Sequence, residues 1–267
     1  MMTKGQKQSK IGLALSGGGA RGFAHIGVLK VLEQAGIPIA AVSGTSAGSF
    51  VGAAVAAGLS AAHIEELARR LSWKTVLRPA LSPLALFSAA PMKNFIAREF
   101  GVSDFDQLKL PFAAVAFDVK MSKQVVLTSG DLAEAIQASC AVPGVFVPLR
   151  RNGMMLVDGG VTSPLPVKQA LELGSDAVIA VDLLSSGTAF DKTPKTGLGI
   201  LLRSGLMMIQ HSARNQHYRA KIVIEPRIAH IRPDQINKGD ELIRLGEAAA
   251  HEKLDDILRL IDQNSDI

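Results

Sequence analysis

Cysteine occurs once in these 267 residues, as Cys140, so no disulfide can close within the chain. That usage suits a reducing cytoplasm and leaves Cys140 to be read as a small buried side chain. Aromatic residues make up 4%, with one Trp and one Tyr, so the stacking platforms that hold single-stranded nucleic acid are missing. No run reaches the roughly 18 uncharged residues of a spanning helix without crossing glycine- and proline-rich turns. Residues 1–10 are polar and basic, with no apolar stretch of the kind a secretory signal needs. They read as a disordered basic N-terminus ahead of a single domain over residues 11–267. Metal-ligand spacing is lacking as well, which argues against a metal cofactor, calcium included.

What is present is apolar and basic: 48% hydrophobic residues, 20% charged, and a net charge of +5. A positive surface fits anionic membranes or nucleic acid, and the scarcity of aromatics removes the second. Arg69-Arg70, Lys74 and Arg78 cluster beside an apolar stretch, which leans toward lipid. Apolar runs alternate with helical spacing in a βα pattern, the mark of a largely parallel sheet with helices on both faces. The spacing predicts helices over 20–35, from Ser60 carrying Ile64, Leu67 and Leu71, from Gly130-Asp131 to before Pro143, and over 166–173 and 197–219. It predicts strands over 11–15, 37–42, 111–119, 124–128, 177–182 and 221–225, and a hairpin over 149–157 built on Asn152-Gly153. Ser185 to Thr196 reads as a mobile loop. A last amphipathic helix from Asp240 puts Leu242, Ile243, Leu254, Ile257, Leu258 and Ile261 toward the core.

Two glycine-framed turns follow the first two apolar runs. Gly44-Thr45-Ser46-Ala47-Gly48 is a G-x-S-x-G frame between strand and helix, a sharp turn that lifts the Ser46 hydroxyl out of the backbone. Ser16-Gly17-Gly18-Gly19-Ala20-Arg21-Gly22 turns another strand into a helix and points free N–H groups at any developing negative charge. Gly17, Gly19 and Gly22 also satisfy G-x-G-x-x-G, but Val42-Ser43-Gly44 offers no acid for a ribose at the end of the second strand. A phosphate-binding Walker loop fails too, because Phe23 stands where its lysine belongs.

A serine hydroxyl needs a partner to take its proton. None of the six histidines sits in a turn beside an acid at a strand end, and His25 reads as packing one turn beyond the glycine loop. Asp158 ends a strand and is followed by Gly159 and Gly160, which let another backbone come close; it is the candidate base.

These residues carry a resemblance. The glycine loop (Gly17 to Gly22), the Ser46 pentad, Ala138-Ser139-Cys140-Ala141-Val142-Pro143 and Asp158-Gly159-Gly160 come in the order of the patatin-like phospholipase family. The chain is most similar to compact bacterial members related to the esterase domain of neuropathy target esterase, over roughly residues 11–182. The resemblance implies a three-layer α/β/α patatin-like fold with a central, mostly parallel sheet. It implies a Ser46–Asp158 dyad instead of a triad, an oxyanion hole from Gly17, Gly18 and Gly19 (chiefly the latter two), and support from Gly44, Gly48, Arg21, Gly159 and the 138–143 segment. It also implies lipid carboxylic esters as substrates (phospholipid, lysophospholipid or monoacylglycerol) and no cofactor.

From the residues themselves, 79–92 is uncharged, interrupted by proline and flanked by Arg78 and Lys93, as expected of a segment that caps an acyl pocket and touches a bilayer. The expected location is the cytoplasm, with peripheral contact at the inner membrane surface. Arg21 is left between a substrate phosphate and a structural carboxylate, with the structural role favoured. A hydrolase of short esters or thioesters using the same dyad, and a lipid-binding regulator of low turnover, remain alternatives. Oligomeric state is not encoded in any motif.

Overall fold

The computed structural model describes residues 10–189 and 193–265; all but the last residue of the 1–10 expectation and part of the 185–196 loop therefore lie outside the described residues. In chain order the strands are β1 (Ile11–Leu15), β2 (Ile39–Thr45), β3 (Arg78–Pro79), β4 (Ala85–Ser88), β5 (Phe112–Asp118), β6 (Lys123–Leu127), β7 (Gly144–Phe146), β8 (Leu149–Arg151), β9 (Met154–Asp158), β10 (Ala177–Val181) and β11 (Ile222–Ile224). The α-helices are α1 (Phe23–Gln34), α2 (Ala47–Ala56), α3 (Ala61–Arg69), α4 (Trp73–Val76), α5 (Ala90–Glu99), α6 (Leu132–Ser139), α7 (Val167–Glu172), α8 (Gly197–Arg214) and α9 (Gly239–Ser265).

β1 and β10 are apolar and buried along their whole lengths, as strands covered on both faces must be. The main sheet runs β11-β10-β1-β2-β5-β9-β8, with β6 also paired to β5. The five from β11 to β5 are parallel, and β6, β9 and β8 join antiparallel. Successive side chains leave a strand on opposite faces, and the core divides accordingly. Leu13, Leu15, Ile179 and Val181 pack with the helices of one layer, including α1, α3 and α9. Ala14, Val178 and Ala180 pack on the other face against Val167 and Ala170 of α7 and Ala213 of α8. This is the expected three-layer α/β/α arrangement.

α1 and α9 meet backbone to backbone. A Cβ on Gly27 would lie 2.0 Å from the Ile243 carbonyl oxygen, and one on Gly246 would lie 2.0 Å from that of Ala24. Along α9, Leu242, Ile243 and Ile257 are buried as expected, but Leu258 is 40% exposed; one step of about 100° past Ile257 carries it off the buried stripe. The Asn152-Gly153 turn joins β8 to β9 with both residues at positive φ. Residues 79–92 depart from a plain loop: β3 and β4 pair as a hairpin, β4 pairs with β7, and α5 starts at Ala90.

Candidate active site

The carboxyl ends of parallel strands are where open α/β sheets place their ligands, and here β1 and β2 end side by side, Leu15 opposite Gly44. Ser46 stands between β2 and α2 at φ 53 and ψ −125, a conformation that costs a non-glycine residue energy. Three contacts hold it there. Its N–H donates to Ser139 Oγ (3.0 Å), Ser139 in turn donates to the Val115 carbonyl (2.6 Å), and Ser49 Oγ donates to the Ser46 carbonyl (2.7 Å). The flanking glycines leave room for the turn: a Cβ on Gly44 would sit 2.3 Å from the Gly48 oxygen, and one on Gly48 would sit 2.1 Å from that of Leu15.

Asp158 reaches the same place from β9. Its N–H donates to the Ala141 carbonyl (2.9 Å), tying it to the 138–143 segment, and Gly159 packs so tightly that a Cβ would meet the Val115 oxygen at 2.3 Å. Val115 lies opposite Thr45 on β2, so one residue of β5 sets both Ser46 and Asp158. The carboxylate is 6% exposed. Burial raises its pKa to about 6, against hydrogen bonds from the Ser46 hydroxyl and the Gly160 N–H, the latter at 2.7 Å. A carboxylate so shifted is a better proton acceptor near neutral pH than an exposed one.

The glycine loop differs from expectation at one position. The Gly17 N–H donates to the Pro164 carbonyl (3.0 Å) and is spent on the fold. Gly18 and Gly19 have no acceptor for their N–H groups among the described residues, and Gly19 adopts φ +59. The loop is held from a distant part of the chain, because the Ala20 N–H donates to the Pro233 carbonyl (2.7 Å).

Arg21 pairs with no carboxylate among the described residues. It is fully buried, and its guanidinium donates to the carbonyls of Ile231 (2.7 Å), Gly187 (2.9 Å), Leu183 (3.3 Å) and Ala229 (3.4 Å). Burial lowers its pKa to about 10. It is thus a buried tie between the glycine loop and the 183–187 and 229–231 segments.

His25 lies beneath the loop. Its Nε2 meets the Ser16 carbonyl at 2.9 Å, its Nδ1 has no hydrogen-bond partner among the described residues, and burial lowers its pKa to about 4. Cys140 is half-buried rather than buried. Its thiol lies beside Ser49, Ser46 and Asp158, and burial, with the nearby Asp158 charge, pushes its pKa well up. It is therefore a neutral thiol lining the site.

Two contributions escaped the sequence reading. Ser139 was seen only as part of a supporting segment, and its bond to the Ser46 N–H had no local signature. The Asp182–His217 pair is the other: Asp182 Oδ1 accepts the N–H groups of Leu184 (2.8 Å) and Ser185 (3.2 Å), while Oδ2 meets His217 Nε2 at 2.7 Å. Among the described residues no three His, Cys, Asp or Glu side chains gather as a metal site, and no helix is long and apolar enough to cross a membrane.

A family model described as patatin-like phospholipase matches residues 13–171. The chain is similar to an uncharacterized NTE family protein of Mycobacterium tuberculosis, 36% identical over 202 residues that make up 73% of this chain and 55% of that protein. It is also similar to lysophospholipase NTE1 of Yarrowia lipolytica, 36% identical over 190 residues, 69% of this chain and 13% of that protein. The chain thus spans about half the length of the mycobacterial relative (55%) and a small part of the yeast one (13%). Among solved structures, VipD from Legionella pneumophila shares the fold, with a TM-score of 0.63 over 94% of this chain and 67% of that one, at 14% identity.

Proposed function

The chain belongs to the patatin-like phospholipase family, and on that premise we propose that it is a serine acyl hydrolase of lipid carboxylic esters, working through a Ser46–Asp158 dyad. One observation carries the proposal. The Ser46 hydroxyl, held on a strained turn, lies beside the buried carboxylate of Asp158, whose pKa burial has raised to about 6.

Ser46 Oγ attacks the ester carbonyl carbon and its proton passes to Asp158. The carbonyl oxygen becomes an oxyanion and takes hydrogen bonds from the Gly18 and Gly19 N–H groups, each worth about 3 kcal/mol of the barrier in comparable sites. Collapse expels the alcohol, which leaves with the proton held by Asp158. A water molecule then gives its proton to Asp158 and attacks the acyl-enzyme, and Ser46 recovers its proton as the acid leaves.

Phospholipid, lysophospholipid or monoacylglycerol esters are the substrates we assign. The similarity to a yeast protein named a lysophospholipase supports this class. So do the apolar side chains exposed in the 79–92 segment, Leu81, Leu84 and Leu86, suited to peripheral contact with a membrane surface. The proposed site of action is the cytoplasmic side of that membrane.

A fluorophosphonate should label the wild-type protein stoichiometrically and leave Ser46→Ala unlabelled. Lysophosphatidylcholine hydrolysis should fall at least about 10⁴-fold in the variant. No labelling of the folded wild type overturns the hydrolase assignment. Preference for the shortest members of a p-nitrophenyl ester series, with no turnover of lipid, overturns the substrate class.

A further inference from the structure

Between α4 and α5 lies an open pocket of about 440 Å³, lined among others by Arg70, Lys74, Asn94, Arg98 and Glu99 over the ring of Phe95. Three cations face one carboxylate. Glu99 is already shared: Arg98 Nε donates to one oxygen (2.7 Å) and Arg70 to the other. Both guanidinia keep further N–H groups, and exposed Lys74 has no ion-pair partner among the described residues. Such a fork of donors over a net positive pocket fits a phosphate in charge and geometry.

The walls of this pocket are the two ends of one hairpin. α4 runs through Leu77 into β3, and β4 runs through Ala89 into α5. That hairpin carries Leu81 at 110% relative exposure, Leu86 at 54% and Leu84 at 47%, with Trp73 of α4 at 37%. A water-soluble surface seldom gathers so many large apolar side chains without a partner. Apolar side chains bordered by cations are what inserts at the face of an anionic bilayer.

We propose that this pocket binds the phosphate of an anionic phospholipid while the 78–88 hairpin enters the bilayer, docking the protein on anionic membranes. The surface is tied to the catalytic layer. Phe95, beneath the pocket, stacks on Phe50 of α2 at 6.1 Å, and α2 begins at the residue after Ser46. β4 pairs with β7, which follows the 138–143 segment.

The inference deepens the lipid reading of the site, yet it can be tested without catalysis, using the inert Ser46→Ala protein in vesicle flotation. Binding is expected with phosphatidylcholine vesicles that contain phosphatidylglycerol and not with phosphatidylcholine alone, and it should weaken with salt. Lys74→Gln and Arg98→Gln should each weaken partitioning about fivefold, and Leu81→Ser with Leu84→Ser should weaken it further. Lys253→Gln, an equal charge change on the exposed face of α9, should have little effect. An equal loss in Lys253→Gln, no preference for phosphatidylglycerol, or unchanged binding in the pocket and hairpin variants overturns the proposal. So does saturable binding of inorganic phosphate by a protein that floats with neither vesicle type, which would make the pocket a free-anion site. Loss of labelling chemistry at Ser46 bears on the hydrolase alone, so the two can fail separately.

Discussion

Residues 10–182 and residues 183–265 contribute to this protein in different ways. The first region holds every chemical group of the proposed reaction: the glycine loop, Ser46, Ser139 and Asp158. The second holds none of them, yet it accepts all four hydrogen bonds of the Arg21 guanidinium, positions the loop through the Pro233 carbonyl, and covers α1 with α9. The groups that react are short-range motifs, whereas the framework that holds them is completed some 200 positions further along the chain (210 between Arg21 and Ile231). A catalytic motif can be local because a turn makes it; its rigidity cannot.

The sharpest test of the first region is Asp158→Asn. Removing the proposed base should lower kcat/KM about 10³-fold or more, while stability moves the other way. The sign follows from burial: the folded carboxyl titrates near 6, above the ordinary aspartate range, so the ionised form weakens the fold as pH rises from about 4 through 6. Asn carries no charge, so at neutral pH the variant should be more stable than wild type, on the order of 2 kcal/mol. The wild-type kcat/KM should rise with pH through about 6. Lower stability in the inactive variant would contradict a buried, charged base.

The second region is tested by Arg21→Met, which leaves four carbonyls without their donor. The expected cost is roughly 3 kcal/mol or more, read by denaturant unfolding, with activity lost beyond what the unfolded fraction explains. Arg21→Lys should rescue little, because a point charge cannot reproduce the fork. Full rescue by lysine would reduce Arg21 to a local charge.

Smaller effects are expected at Ser139. Ser139→Ala unpairs the Ser46 N–H and should cost about 1 kcal/mol of stability. Acting through the elbow, it should lower kcat about tenfold while KM stays close to wild type. A change confined to KM would place Ser139 in substrate binding.

Two histidines, one from each region, should respond to pH with opposite sign. His25 is held neutral by burial, its pKa lowered to about 4, so the fold loses stability as pH falls from about 6.5 toward 4. His217 is raised, chiefly by its hydrogen bond to Asp182, so its contribution is present below the unfolded value and is lost as pH climbs through the raised one. Because His217 is partly exposed, that contribution should stay under about 1 kcal/mol. Thermal unfolding across pH with His25→Gln and His217→Gln separates the two limbs, and limbs of the same sign would contradict the assignment.

How much was legible varied with distance along the chain. The βα order, the helix start at Ser60, whose Oγ accepts the His63 N–H, and the Asn152-Gly153 hairpin could be read because each is decided within a few residues. The β3–β4 hairpin could not, because Pro79 and Pro83 read as breakers, and pairing of β4 with β7 across the fold supplies the partner that local propensity lacks. Gly17 was grouped with Gly18 and Gly19 because sequence cannot say which N–H groups the fold consumes. Leu258 was placed in the core because periodicity says which face is apolar but not how wide a stripe the neighbours cover.

The amino-acid sequence alone determined the family, the layered α/β class and the few short turns on which the candidate groups stand, since those depend on glycine placement and apolar periodicity. Only the tertiary structure decided that Asp158 is buried enough to hold a raised pKa, that Arg21 serves four carbonyls, and that Cys140 lines the site. Desolvation and hydrogen-bond partners are properties of packing, made by residues far apart in the chain, and they come into being only when the layers close.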